Sequence, residues 1–170
     1  MKIGIIGPWR SRQGDIIEDE NRLLAETLSE MGHQVTPLTG LDGVLTQATQ
    51  FLKKANPVQI VIDSLVGSRL ERQLFPYESV IVSGRNLNHG AIARAMGDKP
   101  VLVWERNGCA MEDCCSLTNA TYVCECKERV ERTKKSGRRA VLIDRSARGD
   151  KAALKKRLKE VLEAPDEAAE

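Results

Sequence analysis

The chain has 170 residues, a mass of 18.8 kDa and a net charge of +2, and 41% of its residues are hydrophobic. That length suits one domain whose core needs no disulfide or metal, and no apolar run is long enough for a signal peptide or a membrane span. We therefore expect a cytoplasmic protein with reduced thiols and no membrane partner, made of a single α/β domain over residues 1–163 and a disordered acidic tail over residues 164–170.

Short apolar runs, rich in β-branched residues, predict the strands. Most of these runs are continuously apolar, which is typical of strands that are buried on both faces of a parallel sheet. In chain order they cover residues 2–7, 34–38, 58–63, 79–83, 100–104, 121–125 and 140–144.

Helical signals occupy the intervals between these runs. Asp15 and Glu18 have the spacing of a capping box, before a helix that should end at Gly32. Further helices are predicted over residues 42–52, 87–96 and 126–135, and over the stretch DKAALKKRLKEVLEA. Strands that alternate with helices predict a three-layer, Rossmann-like α/β fold, with a mostly parallel sheet of about six to seven strands and helices on both faces.

The loops beyond the carboxyl ends of such strands are where ligands bind. After the first strand come Gly7, Pro8, Trp9 and Arg10, followed by a helix whose N-terminal amides favour an anion. The glycine spacing is neither a dinucleotide fingerprint nor a P-loop, so a bound phosphate and a solvated loop are equally good interpretations.

Two further loops carry polar residues at the same predicted edge. Asp63 ends a strand, where a carboxylate can hold a ribose hydroxyl or act as a base, or can cap the next short helix. The loop after the 79–83 strand supplies a dense set of polar groups: Gly84, Arg85, Asn86, Asn88 and His89.

All five cysteines lie within eighteen consecutive residues, from 109 to 126. Cys124 and Cys126 are two apart, so on an extended backbone they would project to the same side. With Cys109 and Cys114 they would supply four thiolates, which suits zinc or an iron–sulfur cluster. Two alternatives remain: reactive thiols near the start of the helix after Cys126, or small buried hydrophobic residues, as at Cys115 and Cys124.

The last third of the chain is basic, since residues 127–159 carry 14 Lys and Arg against 4 Asp and Glu. Such a segment can contact a polyanion or a partner protein. However, Leu154, Leu158, Val161 and Leu162 share one helical face, and we favour the interpretation that the lysines are the solvated side of that helix. The sequence also leaves a homo-oligomer open.

Two segments resemble the nucleoside 2-deoxyribosyltransferase-like proteins. MKIGIIGPW followed by LLAETLSEMGHQVTPL is similar to that family's first strand, helix and second strand. LNHGAIARAMGDKPVLVW is similar to the later segment, in which a catalytic glutamate opens a helix that ends in Gly-Lys-Pro-Val. The resemblance covers roughly the first 104 residues, and many Rossmann-like folds share its motifs.

The resemblance implies an enzyme that binds a nucleotide or phosphorylated sugar and acts on an N-glycosidic bond. It places Gly7 and Pro8 near the substrate, Asp63 as a polar anchor, and Asn88 and His89 at the reacting centre. Asn88 stands where the family has its nucleophilic glutamate, and an amide cannot form the glycosyl-enzyme ester, which leaves catalysis open. The alternative function is a cysteine-ligated metal or iron–sulfur protein that presents its site to a substrate or a partner protein.

Overall fold

The computed structural model describes residues 1–7, 16–38, 69–83, 89–105 and 119–163. The strands are β1 (Lys2–Ile6), β2 (Gln34–Leu38), β3 (Ser79–Ser83), β4 (Val101–Trp104), β5 (Ala120–Cys124) and β6 (Arg139–Leu142). The helices are α1 (Ile16–Glu30), α2 (His89–Met96), α3 (Lys127–Lys135), α4 (Arg145–Gly149) and α5 (Lys151–Glu163), and residues 69–74 are also helical.

The strands form a six-stranded sheet in the order β2-β1-β3-β4-β5-β6, and every neighbouring pair is parallel. The chain runs from β1 to β2 on one side and then returns to β3 on the other side of β1. The sheet therefore has a topological switch point between β1 and β3. The predicted α/β fold with a parallel sheet is confirmed.

Side chains alternate between the two faces of the sheet, and each face has its own core. On one face, Ile6, Val82 and Val103 pack with the helical segment 69–74 and with α2. On the other face, Ile5 and Ile81 pack with α1, α4 and α5. Because both faces are covered, the strands need apolar residues at successive positions, which explains their continuously apolar sequences.

Glycine marks the ends of three helices. Gly32, Gly97 and Gly137 follow α1, α2 and α3 with φ angles of 86°, 62° and 75°, a backbone region that glycine adopts most readily. The glycines at 32, 97 and 137 are where the sequence predicts these helices to end.

Two helical stretches were not predicted, namely residues 69–74 and α4. Asp144 begins α4: its carboxylate accepts hydrogen bonds from Ala147 N at 2.9 Å and Ser146 Oγ at 2.6 Å, and these bonds lower its pKa. The cap also explains why β6 ends at Leu142 instead of continuing to residue 144 as predicted. The predicted strand 58–63, helix 42–52 and tail 164–170 lie outside the described residues.

Membrane-spanning helices are absent from the described ranges, because none of their helices is both long enough and apolar enough to cross a bilayer.

Candidate functional site

The candidate site is the carboxyl edge, by which we mean the edge of the sheet where β1, β3, β4 and β5 end. The strand register aligns these ends. Ile6 pairs with Val82, so Gly7 follows at the level of Ser83, and Ser83 pairs with Trp104. The end of β1 thus lies beside the end of β3, at the switch point of the sheet.

Gly7 makes the closest backbone approach at this edge. A Cβ atom at Gly7 would lie 2.1 Å from the carbonyl oxygen of Ser83 and 2.9 Å from Asn21 Nδ2, so only glycine fits. Ser83 Oγ donates a hydrogen bond of 2.6 Å to Asn21 Oδ1, and both side chains are buried. These contacts hold α1 against the ends of β1 and β3.

Glu105 is a buried carboxylate that directly follows β4 at the carboxyl edge. Its side chain is 2% exposed, and Oε2 lies 3.8 Å from Nη1 of Arg129 on α3. Within the part of the chain that the structure describes, no nitrogen or oxygen atom donates a hydrogen bond to either carboxylate oxygen, and the weak thiol donor of Cys124 lies beside them. Buried charged groups nearly always have strong hydrogen-bond partners, so the described part of the fold does not account for this side chain.

Sequence reasoning missed Glu105 as a candidate. The available signal was its position, because it is a charged residue placed immediately after a continuously apolar strand, much as Asp63 ends the predicted strand 58–63. Glutamate is usually exposed, so this signal alone does not distinguish a site residue from a surface residue.

Arg148 of α4 lies beneath the same edge, on the opposite face from Arg129, and it is 2% exposed. Its planar guanidinium stacks over Trp104, with 4.6 Å between Cζ and the ring centroid, and pairs with Glu125 Oε1 at 3.3 Å. It also donates to backbone carbonyls at three strand ends: Glu105 at 2.6 Å, Val123 at 2.9 Å and Ile143 at 2.9 Å. Arg148 therefore ties together the ends of β4, β5 and β6.

The two described cysteines have different environments. Cys124 is fully buried, with Sγ 3.8 Å from Thr133 Oγ1, whereas Cys126 is exposed at the N-cap of α3. Burial, together with the carboxylate of Glu105 beside it, raises the pKa of Cys124 to about 12. In the absence of a metal ion, these surroundings are those of a small buried hydrophobic residue, one of the two alternatives to metal ligation that the sequence leaves open.

The four-cysteine metal site stays a prediction, because Cys109 and Cys114 lie outside the described residues, as does Cys115. Within the described ranges, no group of three or more His, Cys, Asp or Glu side chains is arranged to hold a metal ion.

The two described thiols are expected to differ in reactivity. A variant that keeps Cys124 alone should react with iodoacetamide at pH 8 at least about tenfold more slowly than a variant that keeps Cys126 alone, because alkylation needs an accessible thiolate. The other four cysteines are serine in each variant, and both rates are measured by mass spectrometry. Equal rates in the folded proteins would contradict the burial of Cys124, and equal rates in urea are the control.

The other predicted site residues are only partly placed. His89 is the first residue of α2, which begins at the carboxyl edge after β3. The rest lie outside the described residues: Pro8, Trp9, Arg10, Asp63, Gly84, Arg85, Asn86 and Asn88.

The basic C-terminal third is mostly surface charge. Helix α5 buries Leu154 and Leu158 against the sheet and exposes Lys155, Lys156 and Lys159 to solvent. The predicted amphipathic face is therefore confirmed, and it accounts for these lysines without a polyanionic partner.

The chain matches no family model, no curated protein and no solved structure.

Proposed function

We propose that the protein binds a nucleotide or a phosphorylated sugar at the carboxyl edge, in the crevice between β1 and β3. The observation that carries this proposal is the strand order, which reverses between these two strands. In open parallel sheets, the loops on either side of a switch point diverge and leave a crevice, and ligands bind there.

The helices around the crevice support an anionic ligand. Helix α1 begins at Ile16 after the loop that leaves β1, and α2 begins at His89 after the loop that leaves β3. In a parallel sheet the helix that follows a strand starts at the carboxyl edge, so both N-termini lie there, one on each face of the sheet. The backbone N–H groups at a helix N-terminus favour a phosphate.

Action on an N-glycosidic bond is part of the proposal and comes from the family resemblance. Asn88 cannot be the nucleophile, so such chemistry needs a carboxylate at another position. Asp63 is the carboxylate that the sequence offers for this role, since it is the last residue of a predicted strand that would end at the same edge.

Calorimetric titration with AMP and with ribose 5-phosphate tests the binding proposal. We expect the wild-type protein to bind at least one of them, and Arg10→Ala or Arg85→Ala to weaken that binding by about tenfold, the effect of losing one charge-assisted hydrogen bond. Arg132→Ala is the matched control, because Arg132 is 74% exposed on α3 and should not change the affinity. The proposal is wrong if the wild type binds neither ligand, or if both loop variants bind as the wild type does.

A further inference from the structure

We propose that Glu105 recognises the hydroxyl groups of the ligand's sugar, a role that rests on the proposed function and specifies which part of the ligand this residue contacts. The ligand class is then a sugar phosphate, or a nucleotide whose ribose carries free hydroxyls. Three features of Glu105 support this role: its carboxylate receives no hydrogen bond from a nitrogen or oxygen donor of the described residues, its backbone is held by hydrogen bonds, and a cationic side chain lies beside it.

Burial of the Glu105 carboxylate without strong hydrogen-bond donors from the described residues raises the free energy of the folded state. A carboxylate has about four acceptor positions, and in this one no position receives a hydrogen bond from a nitrogen or oxygen donor of the described residues; the thiol of Cys124 beside it is only a weak donor. Nη1 of Arg129 lies 3.8 Å from Oε2, which is too long for a hydrogen bond. A ligand that donates hydrogen bonds to the carboxylate would offset the cost of its desolvation, so such a ligand would bind favourably here.

The backbone of Glu105, in contrast, is held on both sides. Its N–H donates to Val123 O at 3.0 Å, and its carbonyl oxygen accepts from Arg148 Nη1 at 2.6 Å. The residue is therefore fixed to β5 and to α4, while the described residues supply no nitrogen or oxygen donor to its carboxylate. A rigid backbone with a side chain that is ready to accept hydrogen bonds is the arrangement expected of a preorganised binding group.

The neighbours of the carboxylate favour neutral donors over a cationic ligand. Arg129 supplies a positive charge beside it, and the raised pKa of Cys124 keeps the adjacent thiol neutral. An ammonium group would be repelled by Arg129, whereas hydroxyl groups can donate to both carboxylate oxygens. Sugar hydroxyls are the neutral donors that the proposed ligand carries.

The position of Glu105 also fits the proposed crevice. Glu105 follows Trp104, the register partner of Ser83, and β4 lies two strands from β1. Adjacent strands are about 4.8 Å apart, so Glu105 lies about 10 Å from the end of β1. One small ligand can thus place its phosphate at the crevice and direct its sugar toward Glu105.

The test compares Glu105→Gln with the wild type, using three probes: AMP, ribose 5-phosphate and inorganic phosphate. We expect the variant to bind ribose 5-phosphate or AMP about tenfold more weakly or worse, and to bind inorganic phosphate, which has no sugar hydroxyls, as the wild type does. Its melting temperature should be unchanged or higher, because the substitution removes an unsatisfied buried charge. Glu128→Gln, at a residue 81% exposed on α3, should leave all these values unchanged.

Each other outcome has a definite meaning. If the wild type binds ribose 5-phosphate or AMP and Glu105→Gln binds it equally well, the role of Glu105 is wrong while the proposed function stands. If the variant instead loses all three probes equally, or melts several degrees lower, Glu105 supports the fold and does not recognise hydroxyls. If the wild type binds neither AMP nor ribose 5-phosphate, the proposed function fails and this inference fails with it.

Discussion

Replacing Gly7 by alanine is expected to lower the free energy of unfolding by about 3 kcal/mol, at the upper end of the cost of overpacking. The added Cβ would lie 2.1 Å from the carbonyl oxygen of Ser83, a separation that a carbon and an oxygen atom without a bond between them do not tolerate. The obstacle is backbone in the middle of a parallel sheet, so it cannot rotate away as a side chain can. The end of β1 must separate from the end of β3.

Thermal and urea denaturation measure this effect. For a domain of this size, about 3 kcal/mol corresponds to a fall of about 6–12 °C in melting temperature. Gly149→Ala is the control, because nothing lies within 4 Å of the Cβ that it adds at the end of α4, and it should be neutral or slightly stabilising. A melting temperature for Gly7→Ala within one or two degrees of the wild type would contradict the close approach of β1 and β3.

The same substitution is expected to abolish ligand binding at the crevice, even in the fraction of molecules that fold. Any structure that accommodates the Cβ must widen the gap between β1 and β3, and this displaces α1 through the Ser83–Asn21 hydrogen bond. A folded Gly7→Ala protein that binds AMP or ribose 5-phosphate normally would indicate that the ligand lies elsewhere on the carboxyl edge.

The strands and helices could be predicted because the residues that mark each of them are close together in the sequence. A strand such as β3 is apolar between two serines, and the helix α1 ends before a glycine, so each element is marked by its own residues. Helix α4 was missed because five residues are too few to display a helical period, and the residue that caps it, Asp144, was assigned to the end of the predicted strand 140–144.

The candidate site was harder to predict because residues that are distant in the sequence come together there only in the folded structure. Glu105 is buried beside Arg129 of α3 and Cys124 of β5, residues that are distant from it in the sequence. Likewise, the side chains of Val123 and Cys124 lie on opposite faces of β5, and both are buried because both faces of the sheet are covered. The sequence alone left metal ligation and burial as alternatives for Cys124. Conversely, Gly7 was identified from the sequence, since a glycine at the end of the first strand suggests close backbone approach.

Replacing Arg148 by methionine is also expected to have a large effect, lowering the free energy of unfolding by about 3–5 kcal/mol. Methionine retains the apolar contact with Trp104 but none of the donors. The carbonyl oxygens of Glu105 and Ile143 would then lose the donor that Arg148 supplies, and each buried unsatisfied group costs about 1–3 kcal/mol, while Val123 O would keep its hydrogen bond from Glu105 N. Glu125 would also lose the cation that it pairs with.

A lysine at this position should rescue little of the loss. Its ammonium is one point of charge on a flexible stem, while the three carbonyls lie at different strand ends and match the fork of a planar guanidinium. We therefore expect Arg148→Lys to be nearly as destabilising as Arg148→Met. If lysine restored full stability, the charge of Arg148 and not its geometry would be what the fold requires.

Arg132→Met is the matched control for the Arg148 variants. Arg132 is exposed and pairs with Glu128 one turn away on α3, an interaction whose loss should cost less than about 0.5 kcal/mol. Urea denaturation compares the three variants, and hydrogen exchange locates the damage. In Arg148→Met, amide protection should fall first at the ends of β4, β5 and β6 and remain in β1 and β2, because the three carbonyl oxygens to which Arg148 donates lie at the former strand ends. Uniform loss of protection across the sheet would contradict this local role, whereas the expected pattern would show that Arg148 holds the strand end from which Glu105 projects.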